Sequence, residues 1–168
     1  MTKYQTSWRR FWAAMVDGIV FVPMGFLDDW LLSPERPQLV VIGWATVAYS
    51  SYWLYSVLLH ARFGQTVGKR LLGVKVLDIQ EHRVPTLPQA LLRDVGPVVL
   101  DTCSLVYLVY LVRTGTYVRG VENVTLPDEI LMWASVAWLV VEFLTMATND
   151  KRRALHDYIA GTVVVRDT

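Results

Sequence analysis

The 168-residue chain has one cysteine and three histidines, and these shortages close off most site chemistry. Cys103 has no partner for an internal disulfide and lies inside an apolar run, which implies a buried, inert thiol. His60 and His82 are isolated, and His156 has only Asp157 beside it, so no ligand set with zinc spacing is present. No serine, cysteine and histidine arrangement suggests nucleophilic catalysis. The expectation is therefore a protein that is not an enzyme and carries no metal or cofactor. The phosphate-loop pattern is missing too. In GQTVGKR only three residues separate Gly64 from Gly68, Arg70 follows Lys69, and no strand precedes the run. There is no convincing internal repeat. After the first apolar run no small-x-small cleavage site precedes Asp28 and Asp29, so that run is read as a retained helix and not a signal peptide.

Apolar residues fill the space these absences leave. They make up 54% of the chain against 18% charged, and they are gathered into four blocks, residues 11–32, 39–61, 95–112 and 130–147. Each is about as long as a membrane-spanning helix needs. The second has no charged residue between Leu39 and Leu59. Soluble helices carry a polar stripe every third or fourth position, and these blocks mostly do not. Trp8 and Trp12 at one end of the first block and Trp30 at the other suit interfacial belts, while Trp44, Trp53, Trp133 and Trp138 suit packing.

Four spans place both termini on one side. That side, residues 1–10, 62–94 and 148–168, holds 13 of the 16 Lys and Arg residues; Arg36, Arg113 and Arg119 fall on the other, beside acids that include Glu122, Asp128 and Glu129. By the positive-inside rule both termini are cytoplasmic, in the plasma (inner) membrane. The basic excess is thus a topology signal and not a nucleic-acid site. Lys69, Arg70, Lys151, Arg152 and Arg153 are placed to meet anionic lipid headgroups.

Between blocks two and three, Val74 and Val76 alternate with Lys75, and GTVVVRD near the C-terminus is also strand-like. The two are expected to pair over the cytoplasmic mouth of the bundle. Pro88 to Arg93 suits a helical turn leading into the third block. The fold class expected is an all-α membrane protein, a single domain over residues 1–168: a four-helix transmembrane bundle with a small cytoplasmic β-hairpin-like cap.

Three blocks each contain a carboxylate, Asp17, Asp101 and Glu142. An ionised group in lipid is costly unless paired, neutralised or facing water. At about 1.5 Å per residue all three fall at a similar depth in the inner leaflet, which points to one shared, inward-opening pocket. Asp17 has a plainer reading as one half of an ion pair that locks the bundle. His156 titrates near neutral pH in its ordinary state and is a proton-relay candidate.

RRFWAAMVDG, GQTVGKRLLGVKV and KRRALHDYIAGTVVV together resemble the RDD family of small membrane proteins, named for one arginine and two aspartates. Here these are Arg10, Asp17 and Asp157. The resemblance spans almost the whole chain in the expected order. It implies transport, most concretely proton-coupled exchange of Na⁺, K⁺ or Li⁺, and leaves open a non-transporting scaffold or assembly factor for other membrane proteins. Four helices are few for a complete alternating-access path, so a transporter of this size is expected to form a homo-oligomer.

Overall fold

The computed structural model describes residues 3–119 and 124–167; Glu122 lies outside them. Four long helices dominate: α1 (Ser7–Leu31), α2 (Gln38–Phe63), α5 (Val95–Thr114) and α6 (Leu126–Ala147). Three short helices, α3 (Val67–Leu71), α4 (Leu87–Arg93) and α7 (Leu155–Ala160), and two strands, β1 (Val74–Asp78) and β2 (Thr162–Arg166), gather at one end. Helices α1, α5 and α6 are long and apolar enough to cross a membrane. Helix α2 is as long but falls below that level, because Ser50, Ser51, Tyr52, Tyr55 and Ser56 interrupt its apolar run.

The helix boundaries follow local chemistry. Helix α6 starts at a capping box in which the Asp128 carboxylate accepts from the Thr125 amide (3.0 Å) and hydroxyl (2.7 Å). Helices α2 and α5 end on Gly64 and Gly115 in the left-handed conformation that glycine adopts without strain. Thr86 and Gln89 close the start of α4 in the same way as α6.

The long helices form a row. Helix α1 packs on α2, α2 on α5 and α5 on α6, without an extensive contact between α1 and α6 to close a ring. Helix α6 buries none of its residues. Cys103, expected to be buried, is exposed on α5, because it shares the outward face with Val99 and Val106 and the neighbours α2 and α6 lie elsewhere. Trp133 is likewise exposed, 64%, where packing was expected.

The strands pair antiparallel with Val74 opposite Arg166 and Asp78 opposite Thr162. Val74, Val76 and Val164 form a small buried core. This sheet, with α3, α4 and α7, closes one end of the row, called the sheet end below.

Candidate functional site

Asp17 is 1% exposed and forms no ion pair among the described residues. Its carboxylate accepts from the Gly68 amide (2.7 Å), the Thr66 hydroxyl (2.6 Å) and the Tyr55 hydroxyl (2.8 Å). Tyr55 in turn accepts from the Val67 amide at 2.9 Å. Thr66 is the N-cap of α3, so Asp17 holds the free amides and cap of that helix against α1, where negative charge is favoured. Gly68 makes the approach possible: a Cβ there would collide with the Ala13 carbonyl and lie 3.0 Å from the Asp17 carboxyl carbon. The GQTVGKR run is thus a docking turn whose second glycine fits flush on α1. The ion-pair reading of Asp17 fails for this reason, since backbone amides and hydroxyls fill the place of a cation.

A second, ionic centre lies beside it. Asp157, fully buried on α7, is flanked by Arg10 of α1 at 2.9 Å and by Arg93 of α4. It also accepts from the Ala154 amide (3.0 Å) and the Thr162 hydroxyl (3.2 Å). Burial alone would raise its pKa, but Arg10 and Arg93 outweigh that and hold it well below the ordinary carboxylate range. Arg10 and Asp157, 147 positions apart in the chain, therefore form one pair, and Asp17 anchors a neighbouring turn.

The His156 ring sits on this pair. Its Nε2 lies 3.2 Å from an Arg10 guanidinium nitrogen and 2.9 Å from one of Arg93. Guanidinium groups only donate, so Nε2 is the acceptor and the ring proton is on Nδ1. Nδ1 faces Glu142 of α6, 2.6 Å from Oε2, and Glu142 Oε1 accepts from the His156 amide at 3.2 Å. Burial first, then Arg93 and Arg10, keep the ring pKa below 6.5 against the opposing pull of Asp157 and Glu142. The cluster, two arginines, two carboxylates and a neutral imidazole, joins α1, α4, α6 and α7.

The three carboxylates of the long helices do not share partners. Asp17 serves α3 and Glu142 serves His156, while Asp101 is half-buried on α5 without a hydrogen bond or ion pair among the described residues. Of the headgroup candidates, Lys151 bonds Glu81 (3.3 Å), and Arg152 donates to the Ala147 carbonyl (3.1 Å). Arg153 is turned inward, donating to the carbonyls of Thr162 and Asp157. Arg70 is exposed. Lys69 is only half-exposed, and burial, followed by Arg93, pushes its ammonium down to about 8.

Two residues of this end escaped sequence reading. Arg93 carried a signal, as a basic residue one position from the break before α5. Glu81 did not: it sits in a tight turn with positive φ and gathers Lys3, Tyr4 and Lys151. The bonds from Lys3 and Tyr4 are the main cause of its pKa falling to about 2.

The sequence pattern of the RDD family matches residues 4–161. The chain belongs to the RDD family. It is similar to the uncharacterized membrane protein YteJ of Bacillus subtilis, 24% identical over 98% of this chain and 82% of that one. It is also similar to an uncharacterized protein of Haemophilus influenzae, 25% identical over 96% of this chain and 78% of the other. No solved structure matches it. With its three candidate spans it is a membrane protein of this family.

Proposed function

We propose that this RDD protein is a small transporter, not an enzyme, that exchanges protons for monovalent cations such as Na⁺, K⁺ or Li⁺. The observation that carries the reading is the His156 ring, held neutral between two guanidinium groups and a carboxylate. A proton added at Nε2 removes the acceptor that Arg10 and Arg93 use and sets a third positive charge against them. Ring and arginines then compete for Asp157, whose Oδ1 lies 3.5 Å from Nε2, and because Arg10 is on α1 and Glu142 on α6, proton uptake is coupled to movement between the ends of the helix row. Glu142 pairs with the ring when His156 is protonated and, when the ring is neutral, is an oxygen ligand of the kind hard cations take, so proton and cation compete for it. The inward-facing carboxylate pocket thereby narrows to Glu142, since the Asp17 acceptors are already filled.

In this reading α2 is the fourth span, the sheet end and both termini are cytoplasmic in the plasma (inner) membrane, and lipid and further copies of the chain cover the bare face of α6. The distribution of basic residues supports the orientation. A second reading, a scaffold that binds other membrane proteins, is favoured by the same bare face of α6.

The test is flux of Na⁺ or K⁺ against a pH gradient in vesicles containing only the purified protein. His156→Gln keeps one donor and one acceptor but cannot titrate, and is expected to fold and lose pH-driven flux. Full flux from that variant overturns the assignment of His156; no flux from well-folded wild-type protein favours the scaffold.

A further inference from the structure

Of the five cations that the sequence offers to lipid headgroups, Lys151, Arg152 and Arg153 are engaged with protein acceptors. The two that remain, Lys69 and Arg70, lie on α3. Arg70 is exposed, and its guanidinium has no hydrogen bond or ion pair among the described residues. Around it, residues 62–77 hold Arg62, Lys69, Arg70 and Lys75 and no acid.

The depth of α3 decides what can meet that charge. Gly68 docks on α1 at Ala13 and Asp17, roughly 9 to 15 Å along the helix from its start. Trp8, Phe11 and Trp12 are exposed, with ring centroids 5.4 to 5.9 Å apart. They mark the interfacial belt of α1, and α3 lies at the lower edge of that belt. Val67 and Leu71 of α3 are exposed, Leu71 by 70%. Helix α4 repeats the pattern. It buries Ala90 and Arg93, exposes Leu87, Leu91 and Leu92, and continues at Asp94 into α5. The outward faces of both short helices thus extend the apolar surface of the long ones. Amphipathic helices of this kind seat at the boundary between headgroups and acyl chains. A bare guanidinium there is costly unless it reaches an anion. Its long stem lets it rise to the headgroups, and its planar fork fits phosphate.

We propose that α3 binds an anionic phospholipid of the leaflet on the sheet side, with the lipid phosphate on Arg70 and the acyl chains against Val67 and Leu71. The site does not rest on the exchange reading, because neither flux nor His156 enters it.

Two measurements test it. In detergent, phosphatidylglycerol titrated against full-length protein should raise the unfolding midpoint saturably, and phosphatidylcholine or inorganic phosphate should not match it. Arg70→Gln removes no side-chain contact within the protein, so its midpoint without lipid should equal that of wild type. Its half-saturation should need about fivefold more lipid, the scale of one basic residue at an anionic surface. In nanodiscs containing phosphatidylglycerol, with Cys103→Ala as background, an environment-sensitive dye is placed on Leu71→Cys. It should emit to the blue of the same dye on Gln80→Cys and be quenched more strongly by spin-labelled lipid. Gln80 is the control because its neighbour Glu81 is bound to Lys3 and Lys151, which lie beyond the ends of α1 and α6. The proposal is overturned by no saturable rise, by an equal rise with phosphatidylcholine or inorganic phosphate, by unchanged lipid dependence in Arg70→Gln, or by equal dye emission at the two positions.

Discussion

At the sheet end, Asp17, Arg93, Asp157 and Thr162 are each at most 5% exposed and each is bonded to two or more partners. At the other end, Asp29, Arg119 and Glu129 are exposed or partly so, and a cavity stands open between α2, α5 and α6. The same 22-residue helix, α6, serves both, with Asp128 at its open end and Glu142 at its sealed one. Buried charge is costly unless it is paired and hydrogen-bonded, so the sealed end needs the short helices and the sheet to supply partners that the long helices lack. The open end needs no such lid.

The sharpest way to break this contrast is Asp157→Asn. It strands Arg10 and Arg93 together without their carboxylate. Loss of one partner of a buried pair costs about 3–5 kcal/mol, and thermal unfolding in detergent should show a loss of that size. An unchanged midpoint would mean that the arginines find other partners and that the sealed end is less closely matched than its geometry implies.

Next in size is Gly68→Ala. The added methyl meets the Ala13 backbone carbonyl, which cannot turn aside as a side chain could, and overpacking of this kind costs about 1–3 kcal/mol. Gly43→Ala is the matched control in a long helix, with nothing within 4 Å of the new methyl; it should be neutral or slightly stabilising. Equal effects from the two, read from the same unfolding curves, would remove the claim that α3 docks flush on α1.

These residues also show where sequence reading stops. Apolar blocks located the four long helices to within a few residues, because length and hydropathy are local properties. The strand pairing was legible from alternation at Val74 and Val76 and from the GTVVVRD run. Partner choice was not. Depth along a helix placed Asp17, Asp101 and Glu142 at one level but says nothing of rotation or of which segment folds back to meet them. Asp17 faces Gly68 and Glu142 faces His156 because the loops carry those partners to different helices, and no spacing in the chain encodes that. The RDD trio came closest, since it grouped Arg10 with Asp157, yet Arg93, the other half of the clamp, lies outside it.

A smaller effect separates the charges of the sealed end by pH. The pKa of His156 is held below its ordinary 6.5, so the unfolded chain binds that proton more readily than the folded one. Stability is then fullest above about 6.5 and falls as the pH drops through that value toward the folded pKa. Asp157 runs the same way but lower: its contribution is present above 3.8 and is lost only in acid well below it. As the pH falls below about 6.5, and before the Asp157 loss begins, a shallow decline in unfolding midpoint is expected, due to the ring set against Arg10, Arg93, Glu142 and Asp157. In His156→Gln that decline should flatten while the acid-side loss remains. A decline of the same depth in both proteins would assign it to another group.

The last prediction carries no stability change and decides which end faces which side. Glu129 is exposed in the first turn of α6, at the open end, and its neighbour Asp128 supplies the cap, so Glu129→Cys leaves the capping box intact. Cys103 is exposed on α5 and is replaced by alanine to clear the background. Thirteen basic residues lie on the segments of the sheet end and three on those of the other, from which an inward-facing sheet end is the expectation. An impermeant maleimide added to intact cells should therefore label Glu129→Cys without permeabilisation, whereas Arg70→Cys at the sheet end should label only after it. The reverse pattern would turn the molecule over: the His156 cluster would then take its protons from outside, and the cavity between α2, α5 and α6 would open to the cytoplasm. Labelling of both from outside would show an odd number of spans between residues 70 and 129 to be wrong, and the element at fault would be α5, the one long helix between them.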